Sequence, residues 1–461
     1  MPEKNKFNYK YLFKVIFYIL ALLAAIYLVL LASGYKLDLK RKIFVETGSI
    51  YLNSNPKDVK IYLNGRLKSN RAPFKLSYLL PGNYQVRVEK EGFKSWEKNL
   101  SIKSGLVAYE SEVILYYNQP KEELFSRIEG VGGLNINKGK DKLLYFTDKE
   151  IFLKKINSDQ EEKIFELVSG RIEKTEAAND FSKLLIQTKD EASKVIYLYC
   201  ANSNCQEPYN LNLGLNLNFD KAKLTNNDNY PLLLSVEGSL YAIKSDFSKY
   251  YIEAKVLDYV FFNGKIYYLT DEEEGVGISS SDLEGKEKTK ISIQKAHTSQ
   301  KNVFSLWVDE KKKRLYLIGE EENLYQFDLK GEPLKKIETK AESLNFDNNN
   351  FLLIISGSEL KVQGRVEIID KEDSIRGVAR YSQDPLLANW LWRTNHILFI
   401  RDNILKTVEL KGSNETDLYS FQKEGVADFI SISKNEVIVL DKGSLKKITL
   451  CEKGSLIDLW Q

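Results

Sequence analysis

The chain has 461 residues, which is long for a single hydrophobic core and predicts two or three domains. Hydrophobic residues make up 43% and charged residues 28%, a composition that excludes a disordered chain. The 67 basic and 64 acidic residues are interspersed and leave a net charge of +3, so no basic stripe for nucleic acid stands out. The 27 tyrosines and 22 phenylalanines, in runs rich in Ile, Leu and Val, favour a mainly β fold.

The first element along the chain is an apolar segment. Residues 15–32 read VIFYILALLAAIYLVLLA and contain no charge. About 20 helical residues, at ~1.5 Å each, span the ~30 Å hydrocarbon layer of a bilayer. We predict a transmembrane helix over residues 12–34, between a cytoplasmic tail of residues 1–11 and a juxtamembrane segment of residues 35–45.

Two other interpretations of this segment stay open. A cleaved signal peptide has a shorter apolar run, of ~7–15 residues, and ends in small residues, which residues 31–34 (LASG) match weakly. A buried core helix is usually less uniformly apolar. Lysines flank the segment on both sides, so charge gives little orientation. Because no second span follows, we predict a single-pass protein of the cytoplasmic membrane, with its N-terminus inside and the chain from about residue 36 outside.

Residues 46–117 have the rhythm of a small β-domain. Residues 59–63 and 84–89 alternate apolar and polar positions, as strands with one buried face do. Asn64 and Gly65 predict a tight turn between strands, because both residues tolerate positive φ. Trp96 supplies bulk for so small a core.

This ordered set resembles the PEGA domain, a small β-sandwich found in many bacterial and archaeal surface proteins. The positions that carry the resemblance are Gly48, Pro56, Val59, Ile61, Asn64, Gly65, Ala72, Pro73, Leu80, Pro81, Gly82, Tyr84, Val86, Val88, Gly92 and Phe93. Only the proline remains of the motif that names the family, and the usual Gly-x-Thr-Pro turn is reduced to Arg71-Ala72-Pro73. The resemblance implies a surface module for binding or spacing and no chemistry.

Residues 122–461 contain a repeat in which an apolar run, a polar turn and a second strand-like run follow one another. The apolar runs begin near Leu143 (LLYF), Leu184 (LLI), Leu232 (LLL), Ile266 (IYYL), Leu315 (LYLI), Leu352 (LLII), Ile397 (ILFI) and Val437 (VIVL). Their mean spacing of about 42 residues is typical of propeller blades, so we predict a seven- or eight-bladed β-propeller, similar to WD40 or TolB-like domains. Residues 456–460 are expected to pair near residues 134–136 and close the ring, unless they form a frayed tail.

Candidate ligand residues are few. Trp307, Trp390 and Trp392 lie just before or within blade strands and suggest a platform on which sugars stack, the alternative being packing between blades. Cys200 and Cys205 enclose a turn-like sequence, and either a disulfide or two thiols fits them.

The sequence offers no catalytic, cofactor-binding or metal-binding pattern. His297 and His396 have no histidine partner at helical spacing, and no Gly-x-Ser-x-Gly elbow is present. Residues 133–140 superficially suggest a phosphate-binding loop, but the spacing is wrong and Asp141 replaces the required Ser or Thr. We therefore expect no cofactor and no enzyme activity.

Together these features predict a membrane-anchored extracytoplasmic binding or scaffold protein. The expected partners are the lipid bilayer, through residues 12–34, and an envelope protein or polysaccharide, with no nucleic acid. The PEGA-like module is expected to act as a spacer or envelope-binding unit, and the propeller as a protein- or glycan-binding platform. The alternative is an envelope polysaccharide hydrolase or lyase, because propellers often place their sites in a central channel.

Overall fold

A computed structural model describes residues 9–39, 41–190, 194–201, 208–273, 275–294, 304–319, 322–329, 335–338, 341–346, 351–364, 374–382, 387–411, 414–422 and 427–454. These residues divide into two compact units. The first holds the chain up to Pro120 together with the segment that starts at Cys451, and the second is Lys121–Leu450. Each unit is described by itself below.

The first unit begins with a single long helix, α1 (Tyr9–Ala32). No proline or glycine interrupts it, and Gly34, at φ 87°, adopts the left-handed conformation that commonly ends a helix. A hairpin of β1 (Tyr35–Asp38) and β2 (Ile43–Glu46) follows, and the Phe44 ring lies 6.3 Å from the Tyr27 ring of the helix. The large apolar side chains along α1 are exposed rather than packed into a core.

A small sandwich follows the hairpin. Its strands are β3 (Gly48–Asn55), β4 (Lys60–Leu63), β5 (Arg66–Ser69), β6 (Phe74–Leu79), β7 (Gly82–Glu89), β8 (Trp96–Ile102) and β9 (Val107–Ile114). They form a three-stranded sheet, in the order β6-β3-β9, and a four-stranded sheet, in the order β5-β4-β7-β8. The pairing of β3 with β9 is parallel, and the other pairings are antiparallel.

Alternation along the strands builds the core of this sandwich. In β3 every second residue is buried, so Ile50 and Leu52 point inward and pack with Val86 and Val88 of the other sheet. Trp96 is 5% exposed and belongs to the same core, as predicted from its size. Both residues of the predicted Asn64-Gly65 turn have positive φ, at 49° and 75°.

The segment after the second unit packs on this sandwich. Asn55 Nδ2 donates to the carbonyl oxygen of Glu452 at 2.7 Å, and Lys90 Nζ lies 2.6 Å from Glu452 Oε1. Cys451 is buried and follows the last strand of the chain. The predicted propeller range of 122–461 therefore includes residues that the structure assigns to the first unit.

The second unit consists of short antiparallel strands, with one short helix, α2 (Leu211–Leu215), between two of them. The strands are β10 (Lys121–Leu124), β11 (Gly133–Ile136), β12 (Lys142–Phe146), β13 (Glu150–Lys155), β14 (Glu161–Glu166), β15 (Arg171–Ala177), β16 (Lys183–Lys189), β17 (Lys194–Cys200), β18 (Tyr209–Asn210), β19 (Lys221–Leu224), β20 (Leu232–Val236), β21 (Ser239–Ile243), β22 (Lys249–Glu253), β23 (Val256–Phe262), β24 (Lys265–Glu272), β25 (Gly275–Ser281), β26 (Thr289–Gln294), β27 (Ser305–Asp309), β28 (Arg314–Ile318), β29 (Leu324–Asp328), β30 (Lys335–Glu338), β31 (Ser343–Phe346), β32 (Leu352–Ser356), β33 (Glu359–Gln363), β34 (Ile375–Arg380), β35 (Leu387–Trp390), β36 (His396–Arg401), β37 (Ile404–Glu409), β38 (Glu415–Ser420), β39 (Ala427–Ser431), β40 (Glu436–Asp441) and β41 (Ser444–Thr449).

These strands are grouped four to a sheet, as in a β-propeller. Seven sheets each use four consecutive strands, from β11–β14 through to β35–β38, and an eighth has the order β10-β41-β40-β39. The count of eight sheets applies to the described residues, and the number of blades stays a prediction. The mainly β fold with an N-terminal apolar helix, a small sandwich and a propeller is as the sequence predicted.

The ring closes by a different pairing from the one expected. The N-terminal strand β10 pairs antiparallel with β41, from Lys121 opposite Thr449 to Leu124 opposite Lys446. The expected partner near residues 134–136 is instead β11, which pairs with β12 in the following sheet. Residues 456–460 lie outside the described residues. Closure therefore uses the two ends of Lys121–Leu450 and does not need the last residues of the chain.

The middle strands explain why the repeat in the sequence is a continuous apolar run. Successive side chains of β12 point to opposite faces of the sheet. Leu143 and Tyr145 pack with residues of the β40 sheet, whereas Leu144 and Phe146 pack with residues of the β16 sheet. Both faces are therefore buried, and alternation with polar residues is lost.

The eight apolar runs correspond to the second strand of each sheet, and not to its first strand as the repeat suggested. The true first strands, such as β15 (RIEKTEA) and β19 (KAKL), are rich in polar residues. A polar strand gives little hydrophobic signal, so the sequence pattern missed it.

Side-chain hydrogen bonds join these first strands to one another, which identifies them as the inner strands of the ring. The bonds are Asn135 Nδ2 to Thr175 Oγ1 (2.9 Å), Leu224 N to Glu176 Oε1 (3.0 Å), Lys223 Nζ to Asp258 Oδ1 (3.1 Å), Leu306 N to Asp258 Oδ2 (2.9 Å) and Trp390 Nε1 to Asn345 O (3.2 Å). We call this set the inner belt.

Asp258 is the most connected member of the inner belt. It lies on β23, and its buried carboxylate accepts from Lys221 and Lys223 of β19 and from the backbone of Leu306 on β27. Burial by itself raises the pKa of Asp258, but the charges of the two lysines and the Leu306 N–H lower it below its ordinary value. One ionised side chain thus ties together three successive sheets.

We predict that Asp258→Ala lowers the free energy of unfolding of Lys121–Leu450 by roughly 3 kcal/mol, because it leaves a half-buried lysine without its partner. Urea unfolding followed by circular dichroism measures the change. The matched control is Glu310→Ala, which removes a 51% exposed carboxylate paired with the 68% exposed Lys138, and should cost less than ~1 kcal/mol. Equal losses in the two variants would contradict the role given to Asp258.

Candidate functional site

The turns that join the first and second strands of the sheets share one end of the propeller. Every sheet begins with an inner strand, and neighbouring inner strands run in the same direction, so these turns emerge on the same side of the ring. We call this surface the turn face. Backbone contact between two of its turns supports the grouping, since Lys138 N donates to Asn179 O at 2.9 Å.

One ion pair on the turn face joins sheets that are not neighbours. Lys138 follows β11, and its Nζ lies 3.2 Å from Oε2 of Glu310, which follows β27 four sheets later. Because these two sheets are four apart among the eight described, the pair reaches across the end of the ring. Both side chains are exposed, so the pair contributes about 1 kcal/mol or less to stability. The Lys138–Glu310 pair instead helps to position the β11–β12 turn.

The β11–β12 turn is organised by the side chain of Asn137. Its Oδ1 accepts from the backbone of Asp141 and Lys142, at 3.0 and 2.9 Å, and its Nδ2 donates to Asp141 Oδ1 at 2.6 Å. Asn is favoured in turns because its side chain bonds the following backbone in this way. Residues 133–140 are therefore a strand and an Asn-capped turn, consistent with rejection of a phosphate-binding loop. The turn leaves Lys140 near its tip.

The β35–β36 turn is held in a comparable way by Thr394. The Thr394 hydroxyl donates to Leu391 O at 2.9 Å, and its oxygen accepts from His396 N at 3.2 Å. Leu391 and Thr394 are buried, whereas Trp392 is half-buried and Arg393 is exposed between them. The local sequence thus buries one pair of residues and presents the other pair at the turn face.

Ser431, the last residue of β39, brings the two turns together. Its hydroxyl oxygen accepts from Trp392 N at 2.9 Å, and its carbonyl accepts from Lys140 Nζ at 2.7 Å. Lys140 Nζ lies 5.1 Å from the centre of the Trp392 ring, and Arg393 Cζ lies 4.7 Å from the same centre. We call Lys140, Trp392 and Arg393 the cation cluster.

The charges of the cation cluster are poorly compensated. In the part of the chain that the structure describes, neither Lys140 nor Arg393 has a carboxylate at ion-pair distance. Burial, and then the positive charge of Arg393, lower the pKa of Lys140 to about 8. Trp392 Nε1 is also buried and makes no hydrogen bond within the described residues. The cluster is therefore rich in donors and positive charge.

The three tryptophans singled out by sequence do not form one platform. Trp307, on β27, packs against a cluster that includes Tyr316 and Leu344. Trp390, on β35, is 5% exposed and packs in a different cluster, so little of its ring is available to a ligand. No two of these three rings are in contact among the described residues. Sugar stacking on Trp307 or Trp392 stays a prediction.

The remaining sequence candidates are less informative. Cys200 ends β17, but Cys205 lies outside the described residues, so their disulfide stays a prediction. His297 also lies outside them, whereas His396 is buried with its Nε2 3.9 Å from Glu409 Oε1. No group of three or more His, Cys, Asp or Glu placed to hold a metal occurs in the described ranges.

The sequence argument missed Lys140 and Arg393 as partners. They are 253 positions apart in the chain, and no local motif marks either of them. Trp392 was noticed only as a ring for stacking, and Lys140 only as part of a phosphate-binding loop that was rejected. Ring closure brings the β11–β14 sheet beside the sheet that contains β39, and Ser431 of β39 then joins the β11–β12 turn to the β35–β36 turn.

The sandwich of the first unit has an exposed aromatic feature of its own. Tyr51 of β3 and Tyr109 of β9 are register partners, and their rings stack at 4.8 Å with an interplanar angle of 12°. Tyr109 is 52% exposed. The pair is on the outward face of the three-stranded sheet, because Ile50 and Leu52 fill the inward face.

Comparison with family models identifies this sandwich, since the model of the PEGA domain matches residues 47–109. Residues 47–109 form a PEGA domain. The match agrees with the resemblance seen in the sequence and covers the strands from β3 to the start of β9. The sequence of the whole chain matches no curated protein.

Solved structures similar to the chain include three propellers. The WD40 domain of SCAP from fission yeast has a TM-score of 0.44 at 9% identity, covering 72% of this chain and 98% of its own. The Dos1 propeller has a TM-score of 0.45 at 12% identity, covering 72% and 95%. Hsv2p of Kluyveromyces lactis has a TM-score of 0.40 at 12% identity, covering 60% and 92%. The propeller assignment itself rests on the four-stranded sheets and the β10–β41 closure described above.

The lowered pKa of Lys140 predicts a pH dependence of stability. The pKa of Lys140 in the folded state, about 8, lies below its ordinary value of 10.5. Between these two pH values the unfolded chain therefore binds more protons than the folded chain. The contribution of Lys140 to the free energy of unfolding thus rises with pH across this window. The melting temperature of the wild type should therefore rise relative to that of Lys140→Met between pH 7 and 10.

Thermal unfolding at several pH values measures this difference in melting temperature. Lys313→Met, at an exposed lysine of the β27–β28 turn, is the matched control. The difference in melting temperature between wild type and Lys140→Met should change with pH more than the difference between wild type and Lys313→Met. If the two differences change equally with pH, the pKa of Lys140 is not lowered in the folded protein.

Proposed function

We propose that this protein is a membrane-anchored extracytoplasmic binding or scaffold protein. Helix α1 holds it in the cytoplasmic membrane with the N-terminus inside, the PEGA domain acts as a spacer or envelope-binding module, and the propeller binds an envelope protein or polysaccharide. The single observation that carries the proposal is an exposed apolar helix continuous with two β-domains that have no membrane-spanning helix of their own among the described residues.

The physical argument for the anchor is the lack of any protein cover for α1. Residues Tyr11–Ala32 form the one described helix long and apolar enough to cross a bilayer, and none of its most apolar stretch is buried in the protein. So much exposed apolar surface is unfavourable in water but stable in hydrocarbon. The hairpin after the helix also exposes Leu39, Ile43 and Phe44, which suits the membrane interface.

We predict that the wild-type protein stays in the membrane pellet after alkaline carbonate extraction and that detergent releases it. The double substitution Leu20→Arg with Leu23→Arg should move it to the soluble fraction, because each arginine at the helix centre costs about 3 kcal/mol in hydrocarbon. Leu20→Ile with Leu23→Ile is the matched control and should stay in the pellet.

The same preparation tests cleavage and orientation. Intact mass should show residues before α1 still attached, and protease added to spheroplasts should digest the propeller while an N-terminal tag stays protected. A soluble wild-type protein, or a propeller protected from external protease, would overturn the proposed location.

The proposed binding role of the propeller rests on the turn face. Inner-strand side chains such as Asp258 and Glu176 are occupied by bonds within the ring, whereas Lys140 and Arg393 keep their charges uncompensated in the described residues. Proteins that bind partners without chemistry usually present such groups on a rigid scaffold. Capture of an envelope partner by wild type, weakened by substitutions on the turn face, is the expected result.

The second candidate function is an envelope enzyme acting on polysaccharide. One observation favours it: Asp428 lies on the inner strand β39, and burial raises the pKa of its carboxyl group above its ordinary value. A carboxyl group with a raised pKa is suited to general acid catalysis. If this candidate is right, the purified protein cleaves an envelope polysaccharide. Asp428→Asn then lowers the rate of cleavage at least a hundredfold. Absence of turnover, or equal turnover in Asp428→Asn, excludes this role for Asp428.

A further inference from the structure

We propose that the cation cluster is a binding site for an oxyanion, a carboxylate or phosphate group of the ligand that docks on the turn face. The inference deepens the proposed binding role and rests on it, but it makes a separate claim about chemistry. It depends on the juxtaposition of Lys140 and Arg393 on one tryptophan ring, beside a serine that orients both turns.

The first argument is the cost of the arrangement. Two like charges held beside one ring repel each other, and the half-buried ammonium of Lys140 has also lost part of its hydration. Asp258 of the inner strand β23, by contrast, has the opposite charges of Lys221 and Lys223 beside it. An anion between Lys140 and Arg393 would remove the repulsion and restore hydrogen bonds to both cations.

The second argument is the number of open donors. The ammonium of Lys140 has three N–H groups, and one of them is directed to Ser431 O. The guanidinium of Arg393 contacts the Trp392 ring and makes no hydrogen bond to a described residue. A ligand that supplies only acceptors, as an oxyanion does, matches this set.

The third argument is rigidity. Asn137 fixes the turn that carries Lys140, Thr394 fixes the turn that carries Trp392 and Arg393, and Ser431 bonds to both turns. Donors held in place before binding lose little conformational freedom when the ligand arrives. The aromatic ring also limits how far either cation can move.

The probes for the test are inorganic phosphate and glucuronate, with chloride as the reference anion at equal ionic strength. Full-length protein in detergent micelles is titrated at pH 7, and affinity is measured by calorimetry and by the concentration-dependent rise in melting temperature. We expect saturable binding of at least one probe. Lys140→Gln and Arg393→Gln should each weaken it about tenfold or more, and Lys313→Gln, which removes an exposed lysine of the same face, should change it less than about twofold.

A second readout separates charge from structure. Groups near the Lys140 ammonium are Arg393, Trp392 and Ser431, together with Asn137 and Asp141 of its own turn, and the Asp141 carboxylate already accepts from Asn137. Because Lys140 must be protonated to bind, affinity should fall between pH 7 and 9 in the wild type. Lys140→Arg keeps its charge at both pH values and should retain its affinity at pH 9.

Three outcomes overturn the proposal: no saturable binding of either probe, equal loss in the Lys313→Gln control, or unchanged binding in both Lys140→Gln and Arg393→Gln. If these occur while the wild-type propeller still captures an envelope partner, the binding role survives and only the oxyanion site is lost. If phosphate binds but glucuronate does not, the site is assigned to phosphate groups, and the reverse result assigns it to carboxylates.

Discussion

The propeller depends on the fact that its middle strands are apolar on both faces. A sheet with the sequence of β12 cannot cover Leu143 and Tyr145 on one side and Leu144 and Phe146 on the other without two neighbours. Any open end of a row of such sheets would leave one apolar face in water. The pairing of β10 with β41 removes the open end, because it joins the start of Lys121–Leu450 to its finish within one sheet.

Closure has a consequence for the polar residues. The first strand of each sheet lies beside the axis, and strands such as β15 and β19 carry many polar side chains there. Several of them bond to the next inner strand, and Asp258 joins three strands in this way. The inner belt therefore adds directional bonds to a ring whose main stabilisation is apolar burial.

The belt and the cation cluster use the same kinds of side chain with opposite results. Lysines beside Asp258 are neutralised, and the carboxylate is bonded on both oxygens, which suits a structural role. Lys140 and Arg393 both lie beside the Trp392 ring and, among the described residues, have only that ring and a backbone carbonyl as partners. Charge left uncompensated inside a well-bonded frame is a usual property of binding sites, because the compensation comes with the ligand. The first unit has features of its own: the PEGA domain is a small sandwich with a stacked tyrosine pair, and α1 is an exposed apolar helix long enough to cross a membrane.

The sequence by itself determined the elements whose signal is local. The uncharged run of α1, the Asn64-Gly65 turn, the alternation of β3 and the eight apolar runs of the second strands follow from the identities of adjacent residues. The tertiary structure decided what depends on residues far apart in the chain: which strand closes the ring, which tryptophan is buried, and which charges meet. Trp390 and Trp392 are two positions apart and look alike in sequence, yet one is in the core and the other is on the turn face. Lys140 and Arg393 both reach the Trp392 ring only because closure of the ring places the β11–β14 sheet beside the sheet of β39, whose Ser431 bonds to both turns, and no local pattern encodes that proximity.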